Sequence, residues 1–288
     1  HQMYKYIILM YLVKMLMHSL LQSEKLMKHL NCLYSKGSMY LSINGNLLYH
    51  ASIPLDEDGG FKKVKIQGKG YSGKLLMDKV DRMVRAAHFE KEDLKTRDYA
   101  LDYIWYLWCG KDSPLFDKHA MTTFERYFIA DKETHVEEKG SYFKYQNQRE
   151  TCEMILKEFG LEGPDTHIIN GHVPVKAVKG ESPMRADGKL LVIDGGFSRA
   201  YQSSTGIAGY TLIFNSQGIQ LVQHEPFDSA KIVIERESDI QSITVIREFS
   251  SHRMLVKDTD NGKVLQSQVD ELKKLLDAYR LGLIKESK

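Results

Sequence analysis

Two histidines in this chain stand where an α/β protein places ligand-binding groups. The run Ile169-Asn170-Gly171-His172-Val173-Pro174 is apolar and then breaks, which puts an imidazole just past the carboxyl end of a strand. Asn46-Leu47-Leu48-Tyr49-His50-Ala51-Ser52-Ile53-Pro54 repeats the arrangement of apolar strand, histidine, small residue and proline. Downstream, Leu190-Leu191-Val192-Ile193-Asp194-Gly195-Gly196 reads as a further buried strand, closed by an acid and two glycines that permit a sharp turn. Neutral imidazoles at such places suit manganese, iron or zinc. A histidine at a strand end is also an ordinary hydrogen-bonded structural residue. Two ligands do not complete a metal shell, and the source of the others is the open question.

The elements that would position these groups follow from periodicity. Residues 1–30 read as helical, with apolar positions at spacings of three and four and neither Gly nor Pro. Asn44-Gly45 between residues 38–43 and 47–50 predicts a hairpin. A polar loop is expected over 56–73, then helical periodicity over 74–107, with Leu75, Leu76, Val80, Met83 and Val84 on one face and Leu101, Ile104, Trp105 and Leu107 continuing a second segment. Residues 122–129 read as an aromatic strand or short helix, and 152–159 as a helix stopped by Gly160. Strands are expected at 166–170, 190–194, 208–214 and 219–223, with two more over 240–258. An amphipathic helix over 266–279, with Val269, Leu272, Leu276 and Tyr279 on one side, closes the chain. With no internal repeat and no linker, one continuous α/β unit is expected over 1–288: a helical entry segment (1–30), a mixed α/β body (31–265) and a closing segment (266–288).

Composition narrows the function classes. The chain has 288 residues, 40 basic and 38 acidic, for a net charge of +2, so a nucleic-acid partner is not expected. Cys32, Cys109 and Cys152 form no CxxC pair and read as free thiols of a reducing, cytoplasmic compartment. The apolar stretch Tyr6 to Val13, bracketed by Lys5 and Lys14, falls far short of the ~20 residues a membrane span needs, so no membrane partner is expected either. A helix that is buried, or that packs on something absent, fits it better. The chain opens at His1 without an initiator methionine, which reads as the carboxy-terminal piece of a longer protein.

A wider set of segments carries a resemblance: His50 with Ile53-Pro54, the loop from Trp105 to Phe116, Thr123-Phe124-Glu125-Arg126-Tyr127-Phe128, Asn170 to Val175, Gly188 to Gln202, and Thr205 to Leu212. From about residue 22 onward the chain resembles the class III fructose-1,6-bisphosphatases of Gram-positive bacteria. That family looks like a branch of the calcineurin-like metallophosphatases. The resemblance implies a β-sandwich flanked by helices and two divalent ions, usually manganese. It also implies hydrolysis of the 1-phosphate of fructose 1,6-bisphosphate to fructose 6-phosphate in gluconeogenesis. By the same resemblance His50 and His172 are metal ligands, the last two of a site built from five blocks.

The first three blocks, D-x-H, G-D-x-x-D-R-G and G-N-H, are missing. Gly45-Asn46 is followed by Leu47, Asp81-Arg82 lies in a helical run, and Asp165-Thr166-His167 precedes its strand instead of following one. The amino-terminal half of the domain is therefore expected to be absent, as a required partner, and the catalytic groups are unknown. Asp117 stands where the family pattern leads one to expect Gly.

A bisphosphate substrate needs a basic anchor for the phosphate that is not cleaved. Lys111, Arg126 and Arg199 are the candidates, each more readily read as a surface ion pair or an aromatic-stacked cation. Tyr201 is a candidate for the sugar. Asn170 and Asp194 are candidates to stand behind the ligands; Asp194 could orient a histidine or simply cap a turn. The alternatives are a catalytically silent truncated module that binds sugar phosphate or a partner, and another metallophosphatase of the same superfamily.

Overall fold

The computed structural model describes residues 2–227, 229–237, 239 and 241–284, with side chains from residue 9 onward. The chain opens with α1 (Gln2–Gln22) and α2 (Glu24–Lys36), split at Ser23, whose hydroxyl accepts from the Leu26 N–H and caps the second helix. The hairpin β1 (Tyr40–Ile43) and β2 (Asn46–Tyr49) follows, turning at Asn44 and Gly45, both with positive φ as a two-residue turn requires. A second hairpin, β3 (Val64–Ile66) and β4 (Lys69–Tyr71), leads into α3 (Gly73–Phe89) and α4 (Leu94–Cys109). Short helices α5 (Thr123–Phe128) and α6 (Tyr142–Tyr145) precede α7 (Arg149–Glu158). Then come β5 (His167–Asn170), β6 (Met184–Arg185), β7 (Leu190–Val192), α8 (Arg199–Thr205), β8 (Gly209–Asn215) and β9 (Gly218–His224). The chain closes with α9 (Ala230–Arg236), β10 (Ser242–Phe249) and α10 (Asp260–Arg280).

Alternation along three short strands sets the layers, because successive side chains in a strand point to opposite faces. Leu47 and Tyr49 of β2, Ile168 of β5, and Leu190 and Val192 of β7 face a core closed by Cys152, Ile155 and Leu156 of α7, Met77 of α3 and Tyr142. Leu48, Ile169 and Leu191, one residue out of phase, face Ile219, Leu212, Phe214 and Ile246 of a second sheet. The first sheet runs β1-β2-β5-β7-β6, with β2, β5 and β7 parallel and antiparallel strands at its edges; the second runs β10-β9-β8, all antiparallel. The result is a helix, sheet, sheet stack in the α/β class, with a separate apolar cluster between α3, α4 and β3.

Several expectations fail for identifiable reasons. The expected polar loop over 56–73 holds the β3–β4 hairpin, whose turn places Gln67 and Gly68 at positive φ; glutamine there disguises the turn. Leu75 is exposed, because the buried face of α3 is set by Leu76, Met77, Val80, Met83 and Ala87. Leu101 and Trp105 are exposed too, Trp105 lying against Trp108 and Phe124 at the surface.

Among the described residues of 240–258 a single strand forms; Ser250 and Ser251 leave the ladder to bond Gln217 and Asp165, and a 3-10 turn follows (Val256–Asp258). The closing helix begins at Asp260, where Thr259 caps it, and its stripe of Val269, Leu272, Leu276 and Tyr279 is exposed. The apolar side chains of α1 from Leu9 to Leu21 are exposed as well, so this chain does not bury that helix. His1, Ile240 and residues 285–288 lie outside the described residues. Among the described residues no helix is long and apolar enough to cross a membrane. The three cysteines are free thiols.

Candidate metal centre

His50, His172 and Asp194 follow the carboxyl ends of β2, β5 and β7, neighbouring parallel strands, so the sheet sets them side by side. The loops that carry them are laced together. The Gly171 N–H donates to the His50 carbonyl at 2.9 Å, Ile193 N–H to the Asn170 carbonyl at 2.9 Å, and Val175 N–H to the Asp194 carbonyl at 2.7 Å. Asn170 adds a side-chain tie: its Nδ2 donates to the Ala51 carbonyl at 3.1 Å and to the Tyr142 hydroxyl at 2.8 Å. Tyr142 Oη in turn lies 2.8 Å from Tyr49 Oη. Asn170 thus ties the loops after β2 and β5 together. The turn after Asp194 depends on glycine, since a Cβ on Gly195 would sit 2.5 Å from the Gly209 Cα.

The outcome is a close imidazole pair, His50 Nε2 lying 3.1 Å from His172 Nδ1. His172 has a φ of 67°, a left-handed backbone that costs about 1–3 kcal/mol for a side-chain-bearing residue and recurs at functional sites. Both rings are biased toward neutrality. Burial of part of the ring lowers the His50 pKa against the opposing Asp194 charge. Burial, His50 and Lys118 push His172 down to about 4, with Asp194 and Glu137 opposing. A neutral imidazole is the form that binds metal.

The pair fits one ion. Two nitrogens bound at about 2.0–2.1 Å lie about 2.8–3.4 Å apart for bond angles between about 90° and 109°, and the observed 3.1 Å falls inside that range. Asp194 lines the same cavity of about 470 Å³, but its Oδ1 is engaged with the Gly196 N–H at 2.8 Å, closing the turn. Among the described residues no three His, Cys, Asp or Glu side chains converge as a metal shell would require. The described residues bring two imidazoles together without a third such group beside them.

The four candidate substrate contacts are not in the wall of that cavity. Lys111 is exposed, its carbonyl held by the Tyr106 hydroxyl. Arg199 is exposed at the first position of α8, and Tyr201 is exposed two residues along, packed beside Gly196. Arg126 is tied locally, donating to Thr122 Oγ1 at 3.0 Å and to the His135 carbonyl at 2.9 Å.

Two charged neighbours of His172 escaped the sequence reading. Lys118 Nζ bonds Glu137 Oε2 at 2.7 Å, and Glu137 Oε1 accepts from the Thr122 N–H and hydroxyl. Burial alone would raise the Glu137 carboxyl, but the bonds from Lys118 and Thr122 outweigh it and hold it at about 2. Nothing in the sequence joins residues 118, 137 and 172. Of the two lone D-R and D-x-H matches, Asp81 bonds Arg85 and the Met39 N–H, and Asp165 bonds Ser251, so neither faces the histidines as a ligand.

A family described as Firmicute fructose-1,6-bisphosphatase matches residues 10–281. A class 3 fructose-1,6-bisphosphatase of Porphyromonas gingivalis is 66% identical over 277 residues, covering 96% of this chain and 42% of the relative. Its counterpart in Bacteroides fragilis is 60% identical over 275 residues, covering 96% and 41%, and that of Alkaliphilus metalliredigens is 56% identical over 279 residues, covering 96% and 42%. The chain therefore spans about two fifths of the length of these curated relatives. No solved structure matches. With a family match over nearly its whole length and relatives at this identity, the chain belongs to the Firmicute fructose-1,6-bisphosphatase family.

Proposed function

We propose that this chain supplies part of a dinuclear metal site that hydrolyses the 1-phosphate of fructose 1,6-bisphosphate, in the cytoplasm and in the service of gluconeogenesis. The observation that carries the reading is the pair of neutral imidazoles 3.1 Å apart at the ends of adjacent parallel strands, in a chain of this family. His50 and His172 would hold one ion, manganese being our choice, and Asn170 and Tyr142 fix their loops. Bound divalent ions supply an activated water and a clamp on the phosphoryl oxygens. The carboxylates that would complete the shell are assigned to the part of the relatives' length that this chain does not cover. On this reading the two stacked sheets with their flanking helices belong to a calcineurin-like sandwich. Lys118 and Glu137, within electrostatic reach of His172, set the local charge on the ligand side.

The test is complementation. This chain is mixed with the remaining portion of the Porphyromonas gingivalis relative in manganese buffer, and phosphate release from fructose 1,6-bisphosphate is followed. Activity that requires both parts and is lost in His172→Ala supports the reading. Activity retained in both His50→Ala and His172→Ala would refute it. Sugar-phosphate binding without turnover in the mixture would favour a silent module instead, a reading that rests on the absence of a third converging ligand among the described residues.

A further inference from the structure

Val173 and Pro174, directly after His172, form part of the wall of a second cleft, of about 520 Å³, that does not contain the histidines. Its charged lining is Lys139, Lys176 and Arg185 against one carboxylate, Glu181, whose Oε2 accepts from the Lys176 backbone N–H. The Lys139 ammonium sits 5.3 Å from the ring centre of Phe143, another wall residue. Two lining groups lack partners among the described residues. Gln146 is only 8% exposed, yet its side-chain amide makes no hydrogen bond. Arg185 is half-buried, and its guanidinium has neither an ion pair nor a hydrogen bond.

The polar atoms of a largely buried glutamine and of a half-buried arginine are thus left for a ligand or solvent in the cleft to satisfy. The cleft also carries two uncompensated positive charges, close to the charge of about −1.5 to −2 on a phosphate monoester at neutral pH. Arginine offers phosphate a planar fork of parallel donors, and an amide N–H adds a third. Backbone strain lies at the same wall, because Ala186 and Asp187, immediately after Arg185, both have positive φ.

We propose that this cleft is an anion site that takes the phosphate group of a small phosphorylated molecule. Arg185 grips it bidentately, Gln146 donates from below, and Lys139 and Lys176 supply charge. The phosphate could belong to a bisphosphate reaching over from the histidine cavity or to a separate phosphorylated ligand; the chemistry recognised is the same.

Calorimetric titration of the intact chain with inorganic phosphate, in EDTA to remove metal, tests the assignment. Saturable binding that weakens with salt is expected, falling at least tenfold in Arg185→Gln and in Gln146→Leu, and less in Arg185→Lys, which keeps the charge without the fork. Circular dichroism confirms that each variant is folded. No saturable binding, or equal binding in wild type and both variants, overturns the proposal. His172→Ala should bind phosphate normally; if it loses binding as Arg185→Gln does, the anion sits at the histidines and the cleft assignment is overturned. Because no metal is present, failure of the metal-site reading leaves this result untouched.

Fructose 1,6-bisphosphate with manganese then separates the sources. Non-additive losses in Arg185→Gln and His172→Ala indicate one ligand spanning both cavities, and additive losses indicate a separate ligand in the cleft.

Discussion

Replacing Asp117 by Asn should stabilise this protein at neutral and alkaline pH and do little in acid. Asp117 is 1% exposed, has a φ of 43°, and accepts a hydrogen bond from the Tyr142 N–H at 3.1 Å. Burial, with the Asp112 charge adding to it, lifts its carboxyl from the usual 3.8 to about 6, even though the Tyr142 bond and Lys62 pull the other way. The folded state therefore holds a proton that the unfolded chain releases. Above about pH 6 the folded carboxylate is ionised and the full penalty applies; below about pH 3.8 both states are protonated and it vanishes.

A rise of about two pKa units corresponds to about 3 kcal/mol at about 1.4 kcal/mol per unit. Asparagine keeps the acceptor for Tyr142 and has no charge to desolvate. Urea denaturation of wild type and Asp117→Asn at pH 5, 6, 7 and 8 should show the variant ahead by about 3 kcal/mol at pH 8 and 7, with the gap starting to close near pH 6 and falling to about half at pH 5. A difference that does not change with pH, or a variant less stable at pH 8, would refute the burial argument.

Other consequences follow from the same contacts. His172→Ala and His50→Ala should each lose manganese retention on gel filtration while keeping the wild-type circular dichroism; retention in both would mean the imidazole pair is not a ligand pair. Lys189 is 3% exposed and donates to the Gly163, Pro164 and Thr166 carbonyls and to Thr166 Oγ1, so Lys189→Met, which strands these acceptors, should cost about 1–3 kcal/mol in urea titrations. Gly45→Ala, at a φ of 80° in the β1–β2 turn and with the added Cβ 3.2 Å from the Asp165 carbonyl, should lower the urea midpoint by the equivalent of at least ~1 kcal/mol. Asn170→Ala should remove the tie between the histidine loops and broaden the His50 and His172 resonances in imidazole NMR spectra; unchanged lines would show that the backbone bonds alone hold them.

The core strands were legible because each is a short continuous apolar run, as a strand covered on both faces must be: Leu47-Leu48, Ile168-Ile169 and Leu190-Leu191. Their parallel pairing was not, since it joins segments distant in sequence. The histidines were legible because each sits where such a run stops. The β3–β4 turn was not, since Gln67 carries a left-handed backbone that sequence assigns to Asn or Gly. Leu75 and Val269 show that an apolar residue near a stripe says nothing of whether a neighbour covers it. The charges around His172 and the unpaired Gln146 and Arg185 depend on contacts between residues distant in sequence, and no local pattern carries those. Asp117 is an intermediate case. Glycine was expected there, and the positive φ shows that the backbone does favour it, while the carboxylate adds an ionisation the pattern could not foretell.

The pairing of β2 with β5 has a consequence for biosynthesis. Asn46 lies opposite His167, so β2 leaves the ribosome about 120 residues before the strand it must lie beside. At about 5–20 residues per second, that is an interval of about 6–24 s in which an apolar strand has only its hairpin neighbour β1 to pair with. The His50 and His172 loops can meet only after that wait, so nascent chains stalled between the two strands would be a population without the imidazole pair and dependent on chaperones.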